Sequence, residues 1–178
     1  LDCREAVFFM AKNLKESETL KNLMRAFAGE SQARNRYTFS AGLAKKNGLY
    51  VIEAVFRFTA HQEKEHAQVF YDYLEKCSGE NIAIDGTYPI DLYNTVQEHL
   101  RAAQHKEYQE YGNDYTTFAH TAKEEGFPEI SHVFSQIARI EQIHGDRFGQ
   151  FADLMEQDKL FINEVECDWM CLNCGYVV

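Results

Sequence analysis

The sequence contains few residues that break helices. Its 178 residues include only two prolines and 10 glycines, so long stretches can form helices without interruption. The longest uninterrupted apolar run, from Ala6 to Ala11, is far too short to cross a bilayer. Asp2, Arg4 and Glu5 also interrupt the apolar region that a secretory signal peptide would need. We therefore expect a helix-rich chain that is not inserted into a membrane.

Basic residues are too few to balance the acidic ones. The chain carries 18 Lys+Arg against 28 Asp+Glu, which gives a formal net charge of −10 and a pI near 5.1. A surface of this charge repels phosphate backbones and anionic lipids, so no binding to nucleic acid or membranes is expected. Because 45% of the residues are hydrophobic, the chain can fill a core, and a wholly disordered chain is excluded.

The five cysteines are unevenly placed. Cys3 and Cys77 stand alone, whereas Cys167, Cys171 and Cys174 lie within the last dozen residues. A disulfide framework would spread its cysteines over a smaller, secreted chain. The C-x-x-C formed by Cys171 and Cys174 is more typical of half a metal site in a reducing compartment. We expect a cytoplasmic protein.

Four long segments show helical periodicity, over about 17–47, 49–77, 91–125 and 128–158. Short breaks at Gly48 and Gly126 predict that the first and last pairs form antiparallel hairpins. The middle connection, Ser78 to Ile90, can stretch about 43–47 Å, which exceeds the ~38 Å length of a 25-residue helix. The sequence thus predicts an all-α, ferritin-like four-helix bundle with one long crossover over residues 1–160. A short tail, 161–178, follows it.

An internal repeat supports this topology. A shift of 78 residues superimposes the second half of the bundle on the first, which indicates a duplicated helical hairpin. The matched pairs include Tyr37/Tyr115, Gly48/Gly126, Phe56/Phe134, Glu63/Glu141, His66/His144 and Phe70/Phe148.

One pair departs from the repeat. Glu30 and Glu107 are related by 77 residues, whereas Tyr37 and Tyr115 are related by 78. One extra residue therefore lies between Glu107 and Tyr115. A single insertion inside a helix is usually absorbed as a π-type bulge, and such bulges favour functional sites. Glu110, one turn after Glu107, would add another carboxylate there.

Each repeat carries Glu-x-x-His on an apolar helix face, together with one inward glutamate from the partner helix. Five carboxylates and two neutral imidazoles would place a charge of about −5 in a poorly hydrated interior, which two metal ions would neutralise. This arrangement is the dimetal carboxylate pattern. Its donors suit iron or manganese, and zinc is also compatible. The predicted ligands are Glu30, Glu63, His66, Glu107, Glu110, Glu141 and His144.

The histidines without a repeat partner are interpreted as surface or packing residues: His61, His99, His105, His120 and His132.

These motifs resemble the rubrerythrin family over nearly the whole chain. The metal helices of that family are similar to AFAGESQARNRY (Ala26–Tyr37), HQEKEH (His61–His66) and IEQIH (Ile140–His144). The tail DWMCLNCGY (Asp168–Tyr176) resembles the first knuckle of the rubredoxin-like domain that follows the bundle.

The resemblance implies a non-haem di-iron centre that reduces hydrogen peroxide to water in oxidative-stress defence. It implies that Glu110 exchanges with His66 as one iron changes oxidation state, and that Tyr37 and Tyr115 hydrogen-bond ligand carboxylates. Glu110, which is also a predicted ligand, is a predicted catalytic residue together with Tyr37 and Tyr115. A homodimer or higher homo-oligomer is also implied, with electrons supplied by rubredoxin or its reductase.

The tail departs from the family pattern. A rubredoxin-type site needs four thiolates, and only Cys171 and Cys174 are present with the right spacing. The start at Leu1 and the end at Val178 favour a sequence that continues further, in which case a second C-x-x-C would complete a third iron site. Alternatively, the bundle takes electrons from a separate donor.

Two other functions stay open from the sequence. A ferritin-like ferroxidase would oxidise Fe(II) with O2 and retain the product. A zinc-stabilised structural bundle would have no redox chemistry, and loss of its metal would unfold it.

Overall fold

The structure is a computed structural model that describes residues 13–178. Cys3 and the apolar run from Ala6 to Ala11 lie outside the described residues. Within 13–178, no helix combines the length and apolar character needed to span a membrane. The division into units 1–160 and 161–178 stays a prediction.

The predicted all-α bundle is confirmed. Its helices are α1 (Glu18–Lys46), α2 (Tyr50–Asp72), α3 (Val96–Gln109), α4 (Tyr115–Glu124) and α5 (Pro128–Glu156). A π-helical segment, Glu110–Asp114, joins α3 to α4, so these three elements form the third long helix of the bundle. The predicted insertion after Glu107 is thus accommodated as a π-helix.

Local signals set the ends of the helices. The third helix begins later than predicted, because Thr95 and Glu98 form a capping box in which each side chain accepts from the other's backbone N–H. The hairpin turns rely on Gly48 and Gly126, whose φ angles of 71° and 87° favour glycine. The second helix also ends earlier than predicted, at Asp72, and a short 3₁₀ turn follows it.

The crossover between α2 and α3 is held against α1 by polar contacts. Arg25 on α1 donates to the side chain of Asp85, and Tyr88 donates to the backbone carbonyl of Arg25 at 3.3 Å. Further along, Arg36 pairs with Asp91. These contacts place the crossover beside the helix that carries Glu30.

Two apolar clusters fill the bundle. One cluster contains Phe70 and Phe134, and the other contains Phe56 and Phe148. Along both α2 and α5, the Glu-x-x-His residues lie between a phenylalanine of one cluster and a phenylalanine of the other. A buried polar layer therefore separates the two halves of the core.

Candidate metal centre

Six of the predicted ligands meet in this polar layer, and every one is buried. They come from four helices: Glu30 from α1, Glu63 and His66 from α2, Glu107 from α3, and Glu141 and His144 from α5. His66 is the most exposed of them, at 8%, and the others are 1% exposed or less.

The six side chains form two groups that share two members. One group is Glu30, Glu63, His66 and Glu141; the other is Glu63, Glu107, Glu141 and His144. Within each group, one ligand atom per residue lies within 4.8 Å of all the others. Glu63 and Glu141 belong to both groups, so each could offer an oxygen to each of two metal ions. The arrangement suits two adjacent metals with two shared carboxylates.

Within residues 13–178, most of the atoms that could ligate a metal have no hydrogen-bond partner. Unpaired buried atoms include Nδ1 of both His66 and His144, both carboxylate oxygens of Glu141, and one oxygen each of Glu30, Glu63 and Glu107. Buried polar atoms are rarely left unpaired in native proteins, and such a cluster calls for an ion. The residues therefore fit a pair of metal ions, and their oxygen and imidazole donors suit iron.

The electrostatics show how the metal-free chain balances these charges. Burial disfavours charge on His66 and His144, but contacts with the site glutamates outweigh it and raise their pKa to about 9 and about 12. Burial likewise opposes ionisation of Glu63, yet the close contacts with His144 and His66 lower its pKa to about 2. Two imidazolium ions thus occupy the electrostatic role that two cations would take.

Tyrosines from one repeat support glutamates of the other. The hydroxyl of Tyr37 donates to Glu107, and that of Tyr115 donates to Glu30. Burial, together with the neighbouring carboxylate, raises the pKa of both tyrosines well above 10. Both remain protonated donors at neutral pH, which fixes the orientation of the unshared glutamates.

Glu110 is buried at the first position of the π segment but belongs to neither group. Its Oε1 lies 3.2 Å from Nζ of Lys106. Burial raises the pKa of Glu110 to about 7, although Lys106 opposes the shift. Lys106 was not among the predicted site residues; the sequence signal that it offers is its position directly before Glu107 and four residues before Glu110.

The C-terminal cysteines lie in a small hairpin. Met170 and Val177 form an antiparallel bridge, and Gly175 donates its N–H to the carbonyl of Cys171 at 2.7 Å. Backbone N–H groups of Asn173 and Cys174 lower the pKa of the Cys171 thiol. Both thiols are exposed. Among the described residues no cysteine belongs to a group able to hold a metal, so the tail as it stands offers two of four thiolates.

The unmatched histidines take surface or packing positions, as predicted. His99 is buried, with Nδ1 2.8 Å from Oγ of Ser40 and Nε2 3.2 Å from the carbonyl oxygen of Tyr93. The others are exposed: His61, His105, His120 and His132.

Comparison with known proteins agrees with this geometry. The family model for rubrerythrin matches residues 21–152. The chain is 46% identical to rubrerythrin from Porphyromonas gingivalis, covering 95% of this chain and 83% of that one. It is 43% identical to rubrerythrin from Nitratidesulfovibrio vulgaris, covering 93% and 85%. Among solved structures, nigerythrin in its fully reduced, all-ferrous state matches with a TM-score of 0.68 and 25% identity, covering 100% of this chain and 86% of that one. The bundle, its buried dimetal groups and these similarities agree: the chain belongs to the rubrerythrin family.

Proposed function

We propose that this protein, a di-iron protein of the rubrerythrin type, reduces hydrogen peroxide to water. The observation that carries the proposal is the sharing of Glu63 and Glu141 between two metal groups. Two ferrous ions held there would together supply the two electrons that reduce one hydrogen peroxide to two waters.

The residues of the chain would set the geometry and the charge. Glu63 and Glu141 would hold the two metals side by side, and His66 and His144 would each ligate one of them. Tyr37 and Tyr115 would keep Glu107 and Glu30 aimed at the centre through their hydroxyl hydrogen bonds. Mutations of such supporting partners commonly lower metal affinity ten- to a hundredfold.

Protons must also reach the site, because each peroxide consumes two of them. Glu110 is suited to this role, because its carboxyl is buried beside the centre and, in the metal-free chain, burial raises its pKa to about 7. The hydroxyls of Tyr37 and Tyr115 hold their protons more tightly and would act chiefly as donors of hydrogen bonds.

Electrons would return through a rubredoxin-type centre, either one completed by further cysteines or one on a separate donor such as rubredoxin. A reducing compartment, the cytoplasm, would keep the iron ferrous and Cys171 and Cys174 as thiols. The homodimer or higher homo-oligomer stays a prediction.

The test compares two oxidants. Protein loaded anaerobically with two Fe(II) per chain is mixed with hydrogen peroxide or with O2, and oxidation is followed by stopped-flow absorbance. We expect peroxide to oxidise the centre much faster. Faster oxidation by O2, with iron accumulating beyond two per chain, would instead establish a ferroxidase. Failure to bind two irons per chain would contradict both the peroxide reductase and the ferroxidase. E141Q, which removes a shared ligand, is the control that shows whether the iron is loaded at this site.

A further inference from the structure

Lys106 is a buried cation next to the metal centre. Its side chain is 10% exposed, and it directly precedes Glu107 in α3. Lysine is almost never buried unless it is paired, because removing its charge from water is costly. Its Nζ lies 3.2 Å from Oε1 of Glu110 and 3.2 Å from Oδ2 of Asp114. Both partners belong to the π segment, which they begin and end.

Glu110 therefore lies close both to a cation and to the layer that would hold the metals. On one side is the ammonium of Lys106; on the other is the layer where the metal groups form. The proximity of that layer is evident from Glu30, whose ionisation is disfavoured by burial and also by the negative charges of Glu141, Glu63 and Glu110. A carboxylate in this position can pair with the lysine or approach a metal.

The surroundings of Glu110 leave space for such a movement. A cavity of about 160 Å³ is lined by Lys106, Glu110, Tyr115, Gly29 and Tyr88, among others. It lies between α1, the crossover and the π segment, and Tyr115 links it to Glu30 through their hydrogen bond. A side chain packed on all sides would have to displace its neighbours in order to reorient, whereas Glu110 borders open volume.

We propose that Lys106 is a positioning residue that holds the Glu110 carboxylate outside the two metal groups. Glu110 then reaches a bound metal only by leaving the ammonium group. The strength of this ion pair would set how readily Glu110 joins the centre, and so how strongly the chain stabilises the more highly charged, oxidised metals. Asp114 also pairs with the ammonium of Lys106, and this competition weakens the ion pair between Lys106 and Glu110. This inference rests on the proposed di-iron function.

The test measures the reduction potential of the iron-loaded protein in K106M and K106R. K106M removes the cation but keeps a similar volume, so Glu110 should move to the metals and favour their oxidised form. We expect at least a tenfold change in the ratio of oxidised to reduced centre at a fixed potential, about 59 mV for a one-electron step. The ferric absorption spectrum should change with the new ligand. K106R retains the cation and should stay close to the parent protein on both measurements.

A double-mutant cycle separates positioning from simple charge removal. In the E110Q background, K106M should shift the potential by much less than it does when Glu110 is present. D114N provides a second variant should K106M fold poorly: it frees Lys106 to hold Glu110 more tightly and should shift the potential the opposite way. Equal shifts by K106M with and without Glu110 would overturn the proposal, as would no shift in either background.

A failure of the proposed function can be distinguished from a failure of the inference about Lys106. If the parent protein reacts no faster with peroxide than with O2, peroxide reduction is wrong, yet the potentials of the same preparations still decide the role of Lys106.

Discussion

Glu63 contacts the histidine of the opposite repeat: its Oε1 lies 3.0 Å from Nδ1 of His144. Glu141 makes the reciprocal contact, with Oε1 3.0 Å from Nδ1 of His66. Neither hairpin therefore completes a metal group alone, because each group borrows a glutamate from the other repeat. The duplication in the sequence corresponds to an approximate twofold relationship within the centre.

This sharing predicts unequal effects for different glutamate substitutions. E63Q removes a carboxylate from both groups, so we expect it to weaken binding of both metals at least tenfold. E30Q removes a ligand from one group alone and should leave one high-affinity metal per chain. Anaerobic Fe(II) titration with metal analysis of the desalted protein measures both outcomes. Equal losses in E63Q and E30Q would contradict the shared role of Glu63.

Removing a tyrosine hydroxyl should affect one metal group at a time. In Y115F, Glu30 loses its hydrogen bond, and in Y37F, Glu107 loses its own. Because the ring volume is conserved, the change isolates the hydroxyl. We expect each variant to lower the affinity of its own group ten- to a hundredfold. Metal titration resolves the two steps, and a loss of both metals in either variant would show that the groups are not separable in this way.

Metal binding should release protons at neutral pH. The pKa values of His66 and His144, about 9 and about 12, lie above 7, so both imidazoles are protonated in the metal-free protein. A ligating imidazole must give up the proton on its donor nitrogen. We therefore expect at least two protons released per chain when Zn(II), which has no redox chemistry, fills the centre at pH 7.

A pH-indicator dye in weakly buffered solution measures this release. H120Q alters an exposed histidine outside the centre and should release the same number of protons as the parent protein. Release of fewer than two protons would show that the histidines are neutral before metal arrives.

The sequence predicts the centre because its signals are local and repeated. Helical periodicity places Glu63 and His66 on one face, and the 77-residue offset between Glu30 and Glu107 identifies the insertion that becomes the π segment. The partner of Glu110 could not be predicted in the same way. Lys106 lies in a stretch rich in charged residues, where a solvated side chain is the ordinary expectation, and its burial depends on how the π segment and the crossover meet.

Helix caps that come from residues distant in the chain cannot be predicted from the sequence, for a related reason. Glu125, just after α4, accepts hydrogen bonds from the backbone N–H groups of Glu18 and Thr19 at 3.2 and 2.8 Å. The Thr19 hydroxyl donates to the same carboxylate at 2.7 Å. These groups lie more than 100 residues apart in the chain, and no spacing rule connects them. The carboxylate satisfies N–H groups that the start of a helix otherwise leaves unpaired, and it favourably faces the helix dipole.

E125A should therefore destabilise the bundle without disturbing the centre. It leaves buried donors of the first turn of α1 unsatisfied, which costs about 2 kcal/mol for a charge-assisted cap of this kind. We expect the midpoint of urea unfolding to fall in the metal-free protein, while the number of irons bound per chain stays at two. E124A is the matched control, since Glu124 is exposed and its carboxylate lies 3.4 Å from the exposed His120. If E124A and E125A lowered the midpoint equally, the cap would contribute nothing beyond surface charge. If E125A also lost iron, the start of α1 would have to be coupled to the position of Glu30.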